Sequence, residues 1–123
     1  MALTADTAIV TTAEVEGILY EKNLTNLDSG NATIATVLAE ATNALIRWAR
    51  SERGVDPATI TNESDLKQAA AYWVGWTVFG ADPDPTAQEK AERHKTNYRE
   101  TLDGAVNLFG PEVRRHGGFV GLS

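Results

Sequence analysis

The sequence predicts a small all-α domain of four helices, with a central apolar helix and an extended C-terminal segment, on three observations. The first is the stretch from Leu66 to Gly80, LKQAAAYWVGWTVFG. After Gln68 it holds no charged or amide side chain until Asp82, and it carries Tyr72, Trp73, Trp76 and Phe79. A helix with no polar face must be covered all round. It is shorter than the ~20 apolar residues that cross a bilayer, and Lys67 and Asp82 bracket it closely, so it is the central helix. The second observation is the recurrence of Ile34, Val37, Leu38, Ala41, Leu45, Trp48 and Ala49 at three- and four-residue steps, the period of one helix face. The third is the punctuation between helical stretches. NLTNLDSGNAT, VDPATITNESD and Asp82-Pro83-Asp84-Pro85 are rich in residues that favour turns, each for its own reason.

A chain of 123 residues is one domain by length. Domains of this size hide about two thirds of the unfolded surface, enough for one real core. With no cysteine, disulfides and thiolate metal sites are excluded and the redox compartment is left open. A formal charge of −6 and a pI near 4.8 argue against a dedicated nucleic-acid binder and against docking on anionic lipid. The opening MALTADTAIVTTAEVEG has no basic residue and no sustained apolar run, so it reads as neither a secretory signal nor a transit peptide. The expectation is a soluble protein that stays where it is made.

In chain order, Thr11 or Thr12 can cap a short first helix whose acidic Glu14 and Glu16 suit the positive helix start. Val15, Ile18 and Leu19 form its apolar edge, and it should run to about Tyr20 or Lys22. Gly17 weakens it by ~1 kcal/mol relative to Ala, so it depends on packing. A loop follows. The second helix is expected from about Asn31 to Arg53, with Arg47, Arg50 and Arg53 complementing the negative end of the macrodipole. Gly54 can stop it in the left-handed conformation, and Pro57 confirms the break. A strand is conceivable only at Thr59 to Thr61. Asn62 or Ser64 is the expected cap of the central helix.

Asp84 is placed to cap the last helix and Pro85 to open it. That helix should extend from Pro85 to about Phe109. Its apolar stripe is Ala87, Ala91, Tyr98, Leu102, Ala105, Val106 and Phe109, with Glu89, Lys90, Glu92, Arg93, Lys95, Arg99 and Glu100 on the other faces. Gly110 and Pro111 close it. The domain is therefore residues 1–110, and residues 111–123 form a tail too sparse in apolar residues to build a core.

Candidates for chemistry are few, and no catalytic, cofactor-binding or metal motif stands out. His94 lies near the apolar stripe and could act as base or ligand, but no positioned partner is implied, and a boundary histidine is the plainer account. A polar cluster around it would mark an enzyme; a dry apolar surround would not. His116 is in the tail, and neither histidine sits in a metal-ligand spacing. Asp82 and Asp84 are separated by proline and read as a turn with a cap, not as a cation loop. The triplets at Asn23, Asn31 and Asn62 match the glycosylation pattern but carry no weight without a secretory signal. Arg47, Arg50 and Arg53 could grip phosphate, although their place at a helix end already explains them. The charged face of the last helix, with Glu92, Arg93 and Arg99, is ordinarily solvated surface. Together with the three arginines it is also the candidate subunit contact. The aromatic run of the central helix could line a pocket, but inside a fully apolar helix it reads as core.

The tail is the most informative functional feature. Fully extended it reaches ~40 Å, beyond the radius of the domain. Pro111, Glu112 and Val113 lead into Arg114, Arg115 and His116, which give charge. Gly117, Gly118 and Gly121 give flexibility, and Phe119, Val120 and Leu122 give anchors. This composition suits a peptide that orders on docking, and a frayed terminus is the ordinary alternative.

The order of a short first helix, a long second, a third opening on Leu66-Lys67-Gln68-Ala69-Ala70 and running into aromatics, a long charged fourth and a short tail resembles the head-tail connector proteins of long-tailed bacteriophages, also called adaptor or head-completion proteins. The likeness covers the chain from about Ala13 to the end. It implies a non-enzymatic virion subunit of the neck, assembled in the host cytoplasm, without cofactor and without a membrane. Such subunits form a ring, usually of twelve copies, beneath the portal vertex. The resemblance implies that residues 111–123 dock on the portal protein, while the opposite end receives the stopper or tail-completion protein. DNA passes through the ring without sequence-specific binding, and an acidic ring avoids trapping phosphates. Two other readings stand beside it: a small helical module, such as a cellular regulator, that clasps one partner with the tail, and a helical enzyme with an unrecognised pocket.

Overall fold

The computed structural model describes residues 3–22, 24, 33–54, 56–57 and 63–104, and the described residues form a small all-α domain. Its elements are α1 (Thr12–Leu19), α2 (Ile34–Arg47), a π-helical turn (Trp48–Glu52), α3 (Glu63–Gly80) and α4 (Pro85–Gly104). The possible strand at Thr59 to Thr61, the cap at Asn62, the end of the last helix at Phe109 and the tail lie outside the described residues.

Each helix starts for a local reason. Thr11 is extended and accepts from the Glu14 N–H at 3.1 Å, while the Glu14 carboxylate accepts from the Thr11 N–H at 2.9 Å. This reciprocal capping box satisfies two orphan donors of the first turn. Thr33 caps α2 by accepting from the Thr36 N–H at 3.4 Å. Ser64 lies within α3, so it is not that helix's cap, as the sequence had allowed. Pro85 opens α4, where its missing N–H and fixed φ suit the first helical position. The preceding turn is held by the Asp82 side chain, which accepts from the Asp84 N–H at 3.0 Å, and by the Gln88 amide, which donates to the Gly80 and Asp82 carbonyls.

Gly54, at φ +62°, ends the second helical stretch in the left-handed region, as its position predicts. The last turn before it departs from the α form. From Trp48 the chain takes the wider π turn, which admits one more residue than an α turn and often lies at functional surfaces.

The core is one cluster centred on α3, which packs most extensively against α4, then against α2 and α1. Val15, Leu45, Leu66, Val74 and Val78 are almost wholly enclosed. Each such side chain contributes about 1.5–3 kcal/mol relative to exposure. The buried surface of α3 is mostly small: Ala69, Ala70, Ala71, Val74, Gly75 and Val78, with Leu66 and Phe79 near its ends. The sequence reading of its aromatics as core needs correction. Phe79 is buried, but Tyr72, Trp73 and Trp76 are only half-buried. Small residues let the neighbouring helices approach closely and leave the large rings at the seams. Lysines from α4 cover two of those rings: Lys90 Nζ stands 5.1 Å from the Phe79 ring centre, and Lys95 Nζ 5.6 Å from that of Trp76.

The segment before α1 also belongs to the core. Leu3 and Val10 are buried, and Asn43 of α2 clasps Asp6, accepting from its N–H and donating to its carboxylate, each at 2.8 Å. Two further ties fix α1. Lys67 of α3 bridges Glu14 at 2.9 Å and Glu63 at 3.4 Å, and Lys90 of α4 bridges Glu21 at 3.0 Å. The hydrogen bond from Lys67 is the main reason the Glu14 carboxyl is held below its usual range.

Of the glycines Gly17, Gly54, Gly75 and Gly80, Gly75 is the most closely approached. A Cβ there would stand 2.7 Å from His94 Cδ2 and 2.9 Å from Leu19 Cδ1, so α1 and α4 both lean on its bare backbone. Gly75→Ala should lower stability by about 1–2 kcal/mol, because overpacking outweighs the better helix propensity of alanine. The loss should shrink in a His94→Ala background, and urea melts of the four chains check both expectations. Thr42 presents the opposite case: its hydroxyl is buried in α2 with no hydrogen-bond partner. Thr42→Val should stabilise the fold by about 1 kcal/mol and raise Tm by about 3–5 °C, as measured by calorimetry.

Candidate functional site

Two clefts of the described surface flank α4, one on each side. At 3.6 residues per turn, Arg93 and Asn97 share one side of this helix, and Leu102 lies about half a turn away from Arg93. The small-residue face of α3 lets α4 sit close between α1 and the end of α2, and a seam opens on either side.

On the α2 flank the cleft encloses about 410 Å³. Trp48 of the π turn, Trp76 of α3, and Tyr98 and Leu102 of α4 form its apolar lining. Trp76 and Tyr98 meet with ring centres 6.0 Å apart. Arg47, Glu52, Arg99 and Asp103 supply charge, and Ser51 a hydroxyl. Tyr98 is buried, and that burial pushes its phenol up to about 12; nearby Arg47 opposes the shift and Glu52 adds to it. The phenol therefore stays neutral and can donate a hydrogen bond at physiological pH.

On the α1 flank a second cleft of about 370 Å³ is lined by Ile18 to Glu21, Tyr72, Arg93, His94 and Asn97. His94 is the buried polar group of this seam, at 5% exposure, and neither ring nitrogen has a hydrogen-bond partner. Its ring stacks on Tyr72 at 6.3 Å, lies 5.7 Å from Phe79 and rests on Gly75. Glu21, Arg93 and Asn97 line the same cleft, and among the described residues no side chain is hydrogen-bonded to the imidazole. Burial, with Arg93 and Lys90 nearby, holds the imidazole below its ordinary value, and Glu21 opposes them.

The candidate subunit-contact residues fall on several parts of the described surface. Arg47 and Arg99 come together on the aromatic cleft. Arg50 lines a shallow hollow with Gly54, Asp56 and Pro57. Arg53 lies 5.5 Å from the Trp48 ring centre. Arg47 and the Trp48 ring beneath Arg53 thus belong to the same cleft, and Arg50 to the neighbouring hollow. Glu92 and Arg93 are exposed on α4, with Arg93 on the α1-side cleft. Pro111, Glu112, Val113, Arg114, Arg115, His116, Gly117, Gly118, Phe119, Val120 and Leu122 lie outside the described residues. Among the described residues no three His, Asp or Glu side chains converge as metal ligands, and no helix is long and apolar enough to cross a membrane.

Sequence reasoning missed Tyr20. Its backbone takes the left-handed conformation, φ 57° and ψ 39°, as the C-cap of α1, and its side chain is 94% exposed. This conformation costs a non-glycine residue about 1–2 kcal/mol. A signal was present in the sequence: an aromatic stands where a helix running out of apolar residues would ordinarily place glycine or asparagine.

The pH dependence of stability follows from His94. Its folded-state pKa lies below the ordinary 6.5, so the unfolded chain takes up the proton first as pH falls. Its contribution is full above about pH 6.5 and is lost progressively below it, at no more than about 1.4 kcal/mol per pH unit. Urea melts at pH 7.5 and 5.0 should show this loss, and His94→Leu should remove that component.

No family model, curated protein or solved structure matches this chain.

Proposed function

We propose that the chain is a structural virion subunit, a head-tail adaptor that assembles as a ring, without catalysis, between the portal vertex and the stopper or tail-completion protein. The observation that carries this reading is the order and character of the helices. A short capped helix, a long amphipathic one, an apolar one opening on Leu66-Lys67-Gln68-Ala69-Ala70 and a charged one follow one another, and the sequence then continues into the glycine-, arginine- and phenylalanine-bearing residues 111–123. Distinct surfaces on the two flanks of α4 suit a subunit that must meet one copy on each side. The net charge of −6 suits a ring through which DNA passes, since like charge does not trap phosphates. Portal docking through residues 111–123, the twelve-fold ring and a place in the virion neck rest on the resemblance and on the composition of the segment.

Truncation after Gly110 tests the docking role directly. The shortened chain should keep the helicity and melting temperature of the full chain while losing attachment to portal-bearing capsids in co-sedimentation. Capsid attachment that survives the truncation overturns the docking role, and a large fall in melting temperature shows that the segment is part of the core. A full chain that stays monomeric by native mass even with portal present speaks for the helical module that clasps a single partner.

A further inference from the structure

We propose that His94 works an acid-operated latch: when its imidazole takes up a proton, the C-terminal end of α1, from Leu19 to Glu21, leaves the seam while α3 and α4 stay packed on each other. This goes beyond the ring reading above and stands without it.

His94 and Leu19 share one seat. A Gly75 Cβ would stand 2.7 Å from His94 Cδ2 and 2.9 Å from Leu19 Cδ1, so the imidazole and the end of α1 rest on the same bare stretch of α3. The histidine is 5% exposed, and neither ring nitrogen has a hydrogen-bond partner among the described residues. A neutral imidazole has one N–H to satisfy. A charged one has two, and its positive charge must be solvated or paired.

The groups that face the ring give that charge no place in the closed seam. From α4 come Lys90 and Arg93, both cationic and opposed to a further positive charge, together with Asn97. From α3 come the rings of Tyr72 and Phe79, at 6.3 and 5.7 Å. From the end of α1 come Tyr20 and Glu21. Glu21 is the one carboxylate among the described residues of this lining, and Lys90 already holds it at 3.0 Å. No described residue of α2 lines the cleft. The imidazolium therefore needs water, and an opening of the seam admits it.

α1 is the element that yields. α3 packs most extensively against α4 and less against α1. The eight residues of α1 are too few to be helical alone in water. Its other end is tied elsewhere: Lys67 holds Glu14 at 2.9 Å, and Asn43 of α2 holds Asp6. The Lys67 bond also keeps the Glu14 carboxyl below its usual range, so this tie outlasts the titration of the imidazole. Release relieves Tyr20 as well, whose backbone is left-handed at φ 57°. The opened form keeps α1 tethered at its start and uncovers Leu19 and the Gly75 face of α3.

Hydrogen exchange of the full chain between pH 7.5 and 5.0, read by mass spectrometry and corrected for intrinsic rates, tests the latch. This range stays above the ordinary titration of carboxylates. Amides of residues 17–21 should open about tenfold or more as readily as those of α3 and α4 at every pH. Their opening constant should rise by up to about thirtyfold from pH 7.5 to 5.0, the limit set by a free imidazole near 6.5. His94→Leu and His94→Gln should each hold that constant flat, one with an apolar and one with a polar side chain in the seat, while His116→Gln should follow the parent. Equal opening constants in α1, α3 and α4 overturn the latch, because the proton then acts only through unfolding of the whole domain. An α1 opening that does not change with pH, or that rises as steeply in both His94 variants, overturns it too.

Discussion

The fold depends on one missing side chain. At Gly75 the ring of His94 and a methyl of Leu19 both come within 3 Å of where a Cβ would stand, so two helices rest on the backbone of a third. α1 has only eight residues, too few to be helical by itself in water, and it persists because this seat and its ion pairs hold it. The same burial leaves both His94 ring nitrogens without a hydrogen-bond partner among the described residues and holds the imidazole below its ordinary value. Packing, the acid sensitivity of the seam and the position of the α1 C-terminus are therefore one constraint seen from three sides.

Much of the architecture was legible in the chain because short-range chemistry decides it. Thr11 with Glu14, Gly54 after a run of arginines, and Pro85 after an aspartate each fix a boundary through groups only a few residues apart. The apolar stripe of α4 held for Ala87, Ala91, Tyr98 and Leu102. What periodicity could not give was the allocation of burial within α3. An all-apolar helix carries no mark of which side faces inward, and in this chain alanine and glycine won the interior from tryptophan. The π turn was equally hidden, since WARSE has no residue that an α turn refuses. The packing of Leu3 and Val10 depends on Asp6 meeting Asn43, 37 positions away, and no local pattern records that.

The site was legible only in part. Arg47, Arg50, Arg53 and the charges of α4 were visible as residues, but their distribution over the surface depends on the winding of α2, the π turn and α4. Tyr20 escaped because an exposed aromatic after a short helix looks like an ordinary helix end until its dihedral angles are known.

The π turn sets the angular phase of everything after Trp48. Its extra residue is what brings Glu52 onto the rim of the cleft and Arg53 over the indole. An α-helix continued through the same residues would place each later side chain about 100° from where one residue fewer would put it. Loss of a single residue between Trp48 and Gly54 would leave the hydrophobic seam of α2 intact and turn Glu52 out of alignment with the cleft. Length variation at this turn would therefore reshape the cleft without changing the fold.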